Sequence, residues 1–84
     1  MMYSLITFRS VTPAQRGERL LKNAGYYCSL RRTPRWMQEQ GCGYSLQLHS
    51  QDVRDAVDLL DKDKISYRKI YLLRDSGTAE EVAL

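Results

Sequence analysis

The segment Tyr3–Phe8 constrains the fold of this 84-residue chain more than any other stretch. Its apolar side chains occupy both parities, with Tyr3 and Leu5 on one and Ile6 and Phe8 on the other. A strand that is apolar on both sides is buried on both faces, so this pattern predicts a central strand of a sheet. The other elements are expected to flank this strand and to cover it.

Two helices are predicted from their caps and apolar stripes. The first is predicted over Pro13–Ala24, because Thr12 is a hydroxyl N-cap and proline suits the first helical position. Gly25 supplies the left-handed residue that ends a helix. The second begins after Ser50 as its N-cap and runs to about Lys62.

Three further strands are predicted. Tyr26–Arg31 alternates apolar and polar residues in a pattern that suits an edge strand. Tyr44–His49 alternates in the same way, and its polar side predicts a sheet face that is solvated or lightly covered. The fourth strand is predicted within Ile65–Leu73, and residues 74–84 are expected to form a frayed tail.

The order strand, helix, strand, strand, helix, strand predicts an α+β fold of the ferredoxin-like split βαβ type (βαββαβ). This fold has a four-stranded antiparallel sheet with two helices on one face. Residues 1–73 are expected to form this single domain, followed by a flexible C-terminal tail over 74–84. A domain of this size buries about 60% of its unfolded surface, which leaves no room for a deep enzyme cleft.

Composition and charge exclude several classes of protein. The net charge of +3 is too small for the dense basic stripe of a dedicated nucleic-acid binder. No run approaches the roughly 18 apolar residues of a membrane span, and the N-terminus carries no targeting signal. The protein is therefore expected in the cytoplasm, where its two cysteines stay reduced.

The strongest candidate for chemistry is Cys42, which lies between Gly41 and Gly43 at the entrance to the third strand. A thiol flanked by glycines is accessible, because no neighbouring side chain crowds it. Positive charge nearby would favour the reactive thiolate, and it comes from Arg31, Arg32 and Arg35 in the same connection and from Arg9 at the end of a neighbouring strand. The residues alone also allow a tight turn with an inert cysteine, so both interpretations stay open.

The other cysteine and the single histidine have weaker claims. Cys28 alternates in phase with apolar neighbours, which favours a buried core thiol over a resolving partner for Cys42. His49 follows Cys42 by seven residues, or about 23 Å along a regular strand, which excludes a direct Cys-His pair. These three residues do not have the spacing of a zinc site, so no metal and no cofactor are expected.

A basic and aromatic stretch invites an RNA-binding interpretation, because ferredoxin-like folds also serve RNA-recognition modules. Tyr44 is a candidate for stacking on a base, but the aromatic motif of those modules is missing. A solvated charged rim is therefore favoured, and nucleic acid is not an expected partner. The stretch consists of Arg31, Arg32, Arg35 and Trp36.

Three motifs occur in order along the chain: the strand Tyr-Ser-Leu-Ile-Thr-Phe-Arg-Ser from Tyr3, the run Thr33-Pro34-Arg35, and the pair Cys42-Gly43. Together, over about Tyr3–Leu73, they resemble the small selenium/sulfur carrier-like domains. The resemblance implies a cytoplasmic carrier whose cysteine, Cys42, holds a persulfide or selenosulfide. Such a carrier passes the atom between donor and acceptor proteins, such as a cysteine desulfurase, and is a shuttle more than a complete enzyme.

The same resemblance suggests roles for residues around the thiol. Arg35 and Arg9 would stabilise the anion or dock an acidic or phosphorylated partner, and Thr33 begins the motif that precedes the cysteine. Gly41 departs from the small polar residue, such as serine, expected before the cysteine. The alternatives are a non-catalytic interaction or regulatory domain that binds a protein or small effector, and RNA binding. Exposed edge strands would also allow a homodimer through sheet extension.

Overall fold

A computed structural model describes residues 2–33, 43–74 and 77–82 of the chain. They form two α-helices and one five-stranded antiparallel sheet, which confirms the α+β class. No helix in these ranges is long and apolar enough to cross a membrane. In chain order the elements are β1 Tyr3–Phe8, α1 Val11–Asn23, β2 Ser29–Arg32, β3 Tyr44–His49, the 3₁₀ turn Ser50–Asp52, α2 Val53–Lys62, β4 Ile70–Leu73 and β5 Ala79–Val82.

The sheet has the strand order β2-β3-β1-β4-β5, so β1 lies in the middle, as its doubly apolar sequence predicts. Ile6 of β1 lies opposite Leu46 of β3 on one side and Ile70 of β4 on the other. The prediction of four strands is wrong. The correction comes from Ala79–Val82, which pairs with β4 within the segment expected to be a tail.

The fifth strand is held by a turn and by charges that the sequence pattern does not reveal. The backbone N–H of Arg74 donates to the carbonyl of Thr78 at 2.9 Å, and Gly77 adopts φ +86° in the turn. Glu81 forms an ion pair with Lys69 at 3.1 Å. These contacts cover the edge of β4, which would otherwise present unpaired backbone groups.

Helix α1 begins two residues before the prediction. Its N-cap is Ser10 and its first residue is Val11, so Thr12 lies inside the first turn. The prediction of Thr12 as the N-cap is therefore wrong, and Ser10, which holds that position, makes no side-chain capping hydrogen bond. Pro13 is tolerated here, since the N–H groups of a first turn have no intrahelical acceptor. Gly25 ends the helix at φ +91°, as predicted.

Strand β2 begins at Ser29, three residues later than predicted. Tyr26, the first residue of the predicted strand, instead belongs to the end of α1. The N–H of Tyr26 donates to the carbonyl of Leu21 at 3.0 Å, which completes the helix C-cap. Ile65 ends α2 in the same way, with its N–H on the carbonyl of Leu60 at 2.9 Å. Strand β4 therefore occupies only the last part of its predicted range.

Both helices cover one face of the sheet, and Gly17 allows α1 to approach closely. A β-carbon at Gly17 would lie 3.1 Å from side-chain carbons of Leu46 and Leu60, and 3.5 Å from Phe8. Contacts of 3.1 Å are too close for carbon atoms at their optimal separation of about 3.5 to 4.0 Å. The missing side chain at this position therefore lets α1, α2 and the sheet share one core.

The opposite face of the sheet, here called the open face, was predicted to be solvated or lightly covered, but part of it is fully buried. Leu5, Thr7 and Ser45 are only 3%, 1% and 0% exposed although they point away from the helices. The accessible part of this face lies at the other end of β1 and β3, where Tyr3 is opposite His49. The alternation of polar and apolar residues in β3 therefore gives the wrong exposure for Ser45. Alternation shows which residues share a face of the sheet, but it does not show whether other residues cover that face.

We expect Gly17→Leu to destabilise the fold by about 1 to 3 kcal/mol, because the added side chain overpacks the junction of α1, α2 and β3. The free energy of unfolding, from urea denaturation followed by circular dichroism, measures the change. Arg16→Leu is the matched control, since Arg16 is exposed on the same turn. Equal stability of both variants would contradict close packing at Gly17.

Candidate functional site

The connection between β2 and β3 leaves and re-enters the sheet at one point. The backbone N–H of Thr33 donates to the carbonyl of Gly43 at 3.0 Å, directly beyond the pair formed by Arg32 and Tyr44. This hydrogen bond extends the ladder by one step and closes the connection at the sheet. The residues of the connection, 34–42, therefore start and finish at the same end of the sheet.

Three of the six predicted site residues belong to the described part of the chain, namely Arg9, Thr33 and Gly43. Gly43 directly precedes β3, and Cys42 is its neighbour in the sequence. The predicted site residues that lie outside the described residues are Arg35, Gly41 and Cys42.

The register brings two sources of positive charge to this end of the sheet. Phe8 lies opposite Tyr44, so Arg9 follows β1 at the end where Gly43 precedes β3, and Arg9 is exposed. Helix α1 begins here with Ser10 as its N-cap, without a side-chain cap and without an acidic residue in its first turn. The positive end of its dipole is therefore not neutralised locally, and both features favour an anion.

Open space surrounds Gly43, whereas Thr33 is buried. A β-carbon at Gly43 would meet no described atom within 4 Å apart from its chain neighbours. The backbone does not require glycine here, because the positive-φ glycines among the described residues are Gly25 and Gly77. Thr33 is 2% exposed, so its contribution in the described part of the chain is the backbone hydrogen bond that closes the connection.

Arg32 belongs to the basic run that sequence order places in the surroundings of Cys42, but its contact with an aromatic ring was not predicted. Its guanidinium carbon lies 5.7 Å from the centre of the Tyr44 ring, which is a cation–π contact one residue from Gly43. Tyr44 packs against the core on the helix side, so it is not available as a base-stacking residue on the open face. The contact between Arg32 and Tyr44 follows from the pairing of β2 with β3, which no local sequence pattern reveals.

Cys28 lies far from the Gly43 end of the sheet, and its thiol is held in the unreactive protonated form. Burial, reinforced by the Glu18 carboxylate, raises the pKa of the Cys28 thiol to about 11, and the residue is 5% exposed. Its neighbour Ser29 lies opposite Gln47, so Cys28 is about five residues, or roughly 17 Å, along the ladder from Gly43. This position supports the core thiol and not a resolving partner.

The remaining candidates also lie apart from the connection. His49 is the last residue of β3, six residues from Gly43 in a regular strand, or about 20 Å. Within the ranges that the structure describes, no group of three or more His, Cys, Asp or Glu side chains is placed to hold a metal ion. A histidine-assisted thiol at this end of the sheet is therefore not supported.

We expect iodoacetamide at about pH 7.5 to modify Cys42 and to leave Cys28 unmodified in the folded protein, because only the thiolate reacts. The labelling rate of Cys28 should rise only as the pH approaches about 11. Peptide mass mapping gives the modified position, and labelling in urea shows that Cys28 is otherwise competent. Rapid labelling of the native Cys42→Ser variant would contradict the suppressed thiol.

The comparisons with known proteins give one result for this arrangement. No curated protein and no solved structure shows significant similarity to the chain. A family model matches residues 3–72, which includes every element from β1 to most of β4 as well as the connection that carries Cys42. The match covers more than half of the sequence, so the chain belongs to the family described as "Putative Se/S carrier protein-like".

Proposed function

We propose that the protein is a sulfur or selenium carrier that holds the atom on Cys42 and passes it between partner proteins. The observation that carries the proposal is the closure of the connection by Thr33 and Gly43. It brings Gly43, the sequence neighbour of Cys42, to the end of the sheet that also has Arg9 and the start of α1. Family membership supports the same reading.

The transfer is redox-neutral. The Cys42 thiolate attacks the outer sulfur of a donor persulfide, the donor's sulfur–sulfur bond breaks, and the donor leaves as a thiolate. The new persulfide on Cys42 keeps the proton that the outer sulfur carried. A thiolate of the acceptor then attacks the outer sulfur of the Cys42 persulfide, the sulfur–sulfur bond breaks, and Cys42 is released as a thiolate. A selenium atom in the outer position follows the same path as a selenosulfide.

The chain's own residues make the thiolate available and leave it accessible. The positive end of α1 and the Arg9 guanidinium lower the cost of a negative sulfur at this end of the sheet. Arg35 is proposed to add to this charge from within the connection. No described atom lies within 4 Å of a β-carbon placed at Gly43, its chain neighbours aside, which supports the approach of a partner's persulfide-bearing segment.

The proposal includes a location and a class of partner. A reducing cytoplasm keeps a carrier thiol free for exchange. The donors and acceptors are proteins such as a cysteine desulfurase, docked through the cations at this end of the sheet. We also infer a ferredoxin-like arrangement for the first four strands, because a β1 strand between β3 and β4 with both helices on one face fits that topology.

We expect a reducible sulfur adduct on Cys42 after the reduced protein is incubated with a cysteine desulfurase and cysteine. Intact mass before and after a reductant detects the added sulfur, and peptide mapping locates it. Cys42→Ser should carry no adduct, whereas the matched variant Cys28→Ser should load as the wild type does. Absence of an adduct, or equal labelling of Cys28, would shift the function to a non-catalytic interaction domain.

We expect Arg9→Gln to slow alkylation of Cys42 near pH 7 by about two- to fivefold, because it removes a nearby positive charge from the thiolate. The whole pH dependence of the rate should move to higher pH. Arg54→Gln changes the net charge equally but lies on exposed helix α2, so it is the matched control. Identical profiles for both variants would remove Arg9 from the thiol environment.

A further inference from the structure

Three aromatic rings from separate parts of the chain form a cluster on the open face. Tyr3 belongs to β1, His49 ends β3, and Tyr27 precedes β2 by two residues. The ring centres of His49 and Tyr27 are 4.8 Å apart, those of Tyr3 and His49 are 5.2 Å apart, and those of Tyr3 and Tyr27 are 6.1 Å apart. These distances lie in the range of stacked and tilted aromatic pairs, so each ring restrains the others.

The cluster presents one of its rings to solvent. Tyr27 is 43% exposed and Met2, next to Tyr3 in the sequence, is 42% exposed. Among the described residues, these are the exposed large apolar side chains. Both lie at the end of the sheet opposite Gly43. The ring of Tyr27 is thus supported by His49 at 32° between ring planes and is still accessible to another planar group.

A cation lies on the same face of the sheet as this ring. The open-face positions of β1, β2 and β3, taken with Tyr27, include Arg31 and no carboxylate. Arg31 is exposed, forms no ion pair with any described residue, and follows Tyr27 by four residues on the same side, or about 13 Å. Nearby carboxylates such as Glu18 lie on the helix side, where Glu18 is paired with Lys22 at 3.4 Å.

A second copy of the chain fits this edge poorly. The N–H of Leu30, which points away from the sheet, already donates to the Glu18 carboxylate at 3.1 Å. An added strand would have to displace that carboxylate. Two copies of β2 paired through a two-fold axis would also bring Arg31 and Arg32 close to the same residues of the other copy. The edge therefore opposes sheet extension by self-association.

We propose that the open face binds single-stranded nucleic acid along β2, with a base stacked on Tyr27 at one end and a phosphate bound by Arg31 toward the other. Stacking of bases on aromatic side chains beside cations is how proteins bind single strands without reading sequence. A duplex does not fit, because its bases already stack on each other. This binding function goes beyond the proposed carrier and does not use Cys42.

The test is fluorescence anisotropy of a labelled oligouridylate of about 12 nucleotides, within the site size of single-strand binders. We expect Tyr27→Ala to weaken binding at least about fivefold, the lower end of the range for loss of one stacked base. Tyr27→Phe should bind as the wild type does, because it keeps the ring. Tyr27→Leu should bind as weakly as Tyr27→Ala, because apolar area without a π-face cannot stack.

The phosphate contact has its own measurement. The slope of log affinity against log salt should fall in magnitude by about 0.7 in Arg31→Gln, the value for one phosphate contact on a single strand. Arg54→Gln, on α2, removes the same charge from the other side of the molecule and should leave the slope unchanged. Inorganic polyphosphate should compete poorly, because it has charge and no bases.

Several results would overturn the proposal. They are no binding at about 50 mM salt, equal binding by Tyr27→Leu and Tyr27→Phe, and equal slopes for Arg31→Gln and Arg54→Gln. A Tyr27-dependent dimer in sedimentation would assign the surface to a second copy instead. Circular dichroism of each variant excludes unfolding as the cause of a loss. Cys42→Ser should bind the oligonucleotide fully, so failure of the carrier function and failure of this one are separable.

Discussion

The contact of α1 with the sheet at Gly17 is the constraint on which the rest of the structure depends. Side chains of Phe8, Leu46 and Leu60 lie against the backbone of α1 there, so α1, α2 and the sheet share one core. In a domain of this size the core has little area to lose, and close packing supplies much of the free energy of folding. The same contact assigns one face of the sheet to the helices and leaves the other for binding.

Strand β3 links the two proposed activities. It begins at Tyr44, directly after Gly43, and ends at His49 in the aromatic cluster, so about 20 Å along the strand separate the cluster from Gly43. The proposed phosphate contact lies nearer to Gly43, because Arg31 is opposite Ser45. A nucleic acid that reaches from Tyr27 to Arg31 would therefore extend along the open face toward the end of the sheet that has Arg9.

The parts of the fold that depend on local signals could be predicted from the sequence. Strand β3 has its predicted bounds, β1 is central, and Gly25 ends α1 in the left-handed conformation. The fifth strand could not be predicted in this way, because Ala-Glu-Glu-Val has neither alternation nor strong strand propensity. It forms because β4 offers an edge and Lys69 meets Glu81, and both depend on chain pairing.

In the candidate site, too, some features could be predicted from sequence order and others depend on strand pairing. The position of Cys42 between glycines and the place of Arg9 at a strand end can be deduced from sequence order. The contact of Arg32 with the Tyr44 ring requires the register of β2 against β3. The aromatic cluster draws on residues 3, 27 and 49, whose separation along the chain hides their proximity. Burial of Ser45 depends on what covers the open face, which alternation does not encode.

The closure of the connection by Thr33 and Gly43 has a consequence for how such a scaffold can diversify. A segment whose ends are joined by the ladder contributes nothing to the register below it, so its length and sequence can change without shifting any strand. Doubling the length of a closed loop costs only about 0.6 kcal/mol. Under the proposed function, residues 34–41 can therefore change in length and sequence to suit new partners, provided that Cys42 still precedes Gly43, while the sheet and helices are inherited intact.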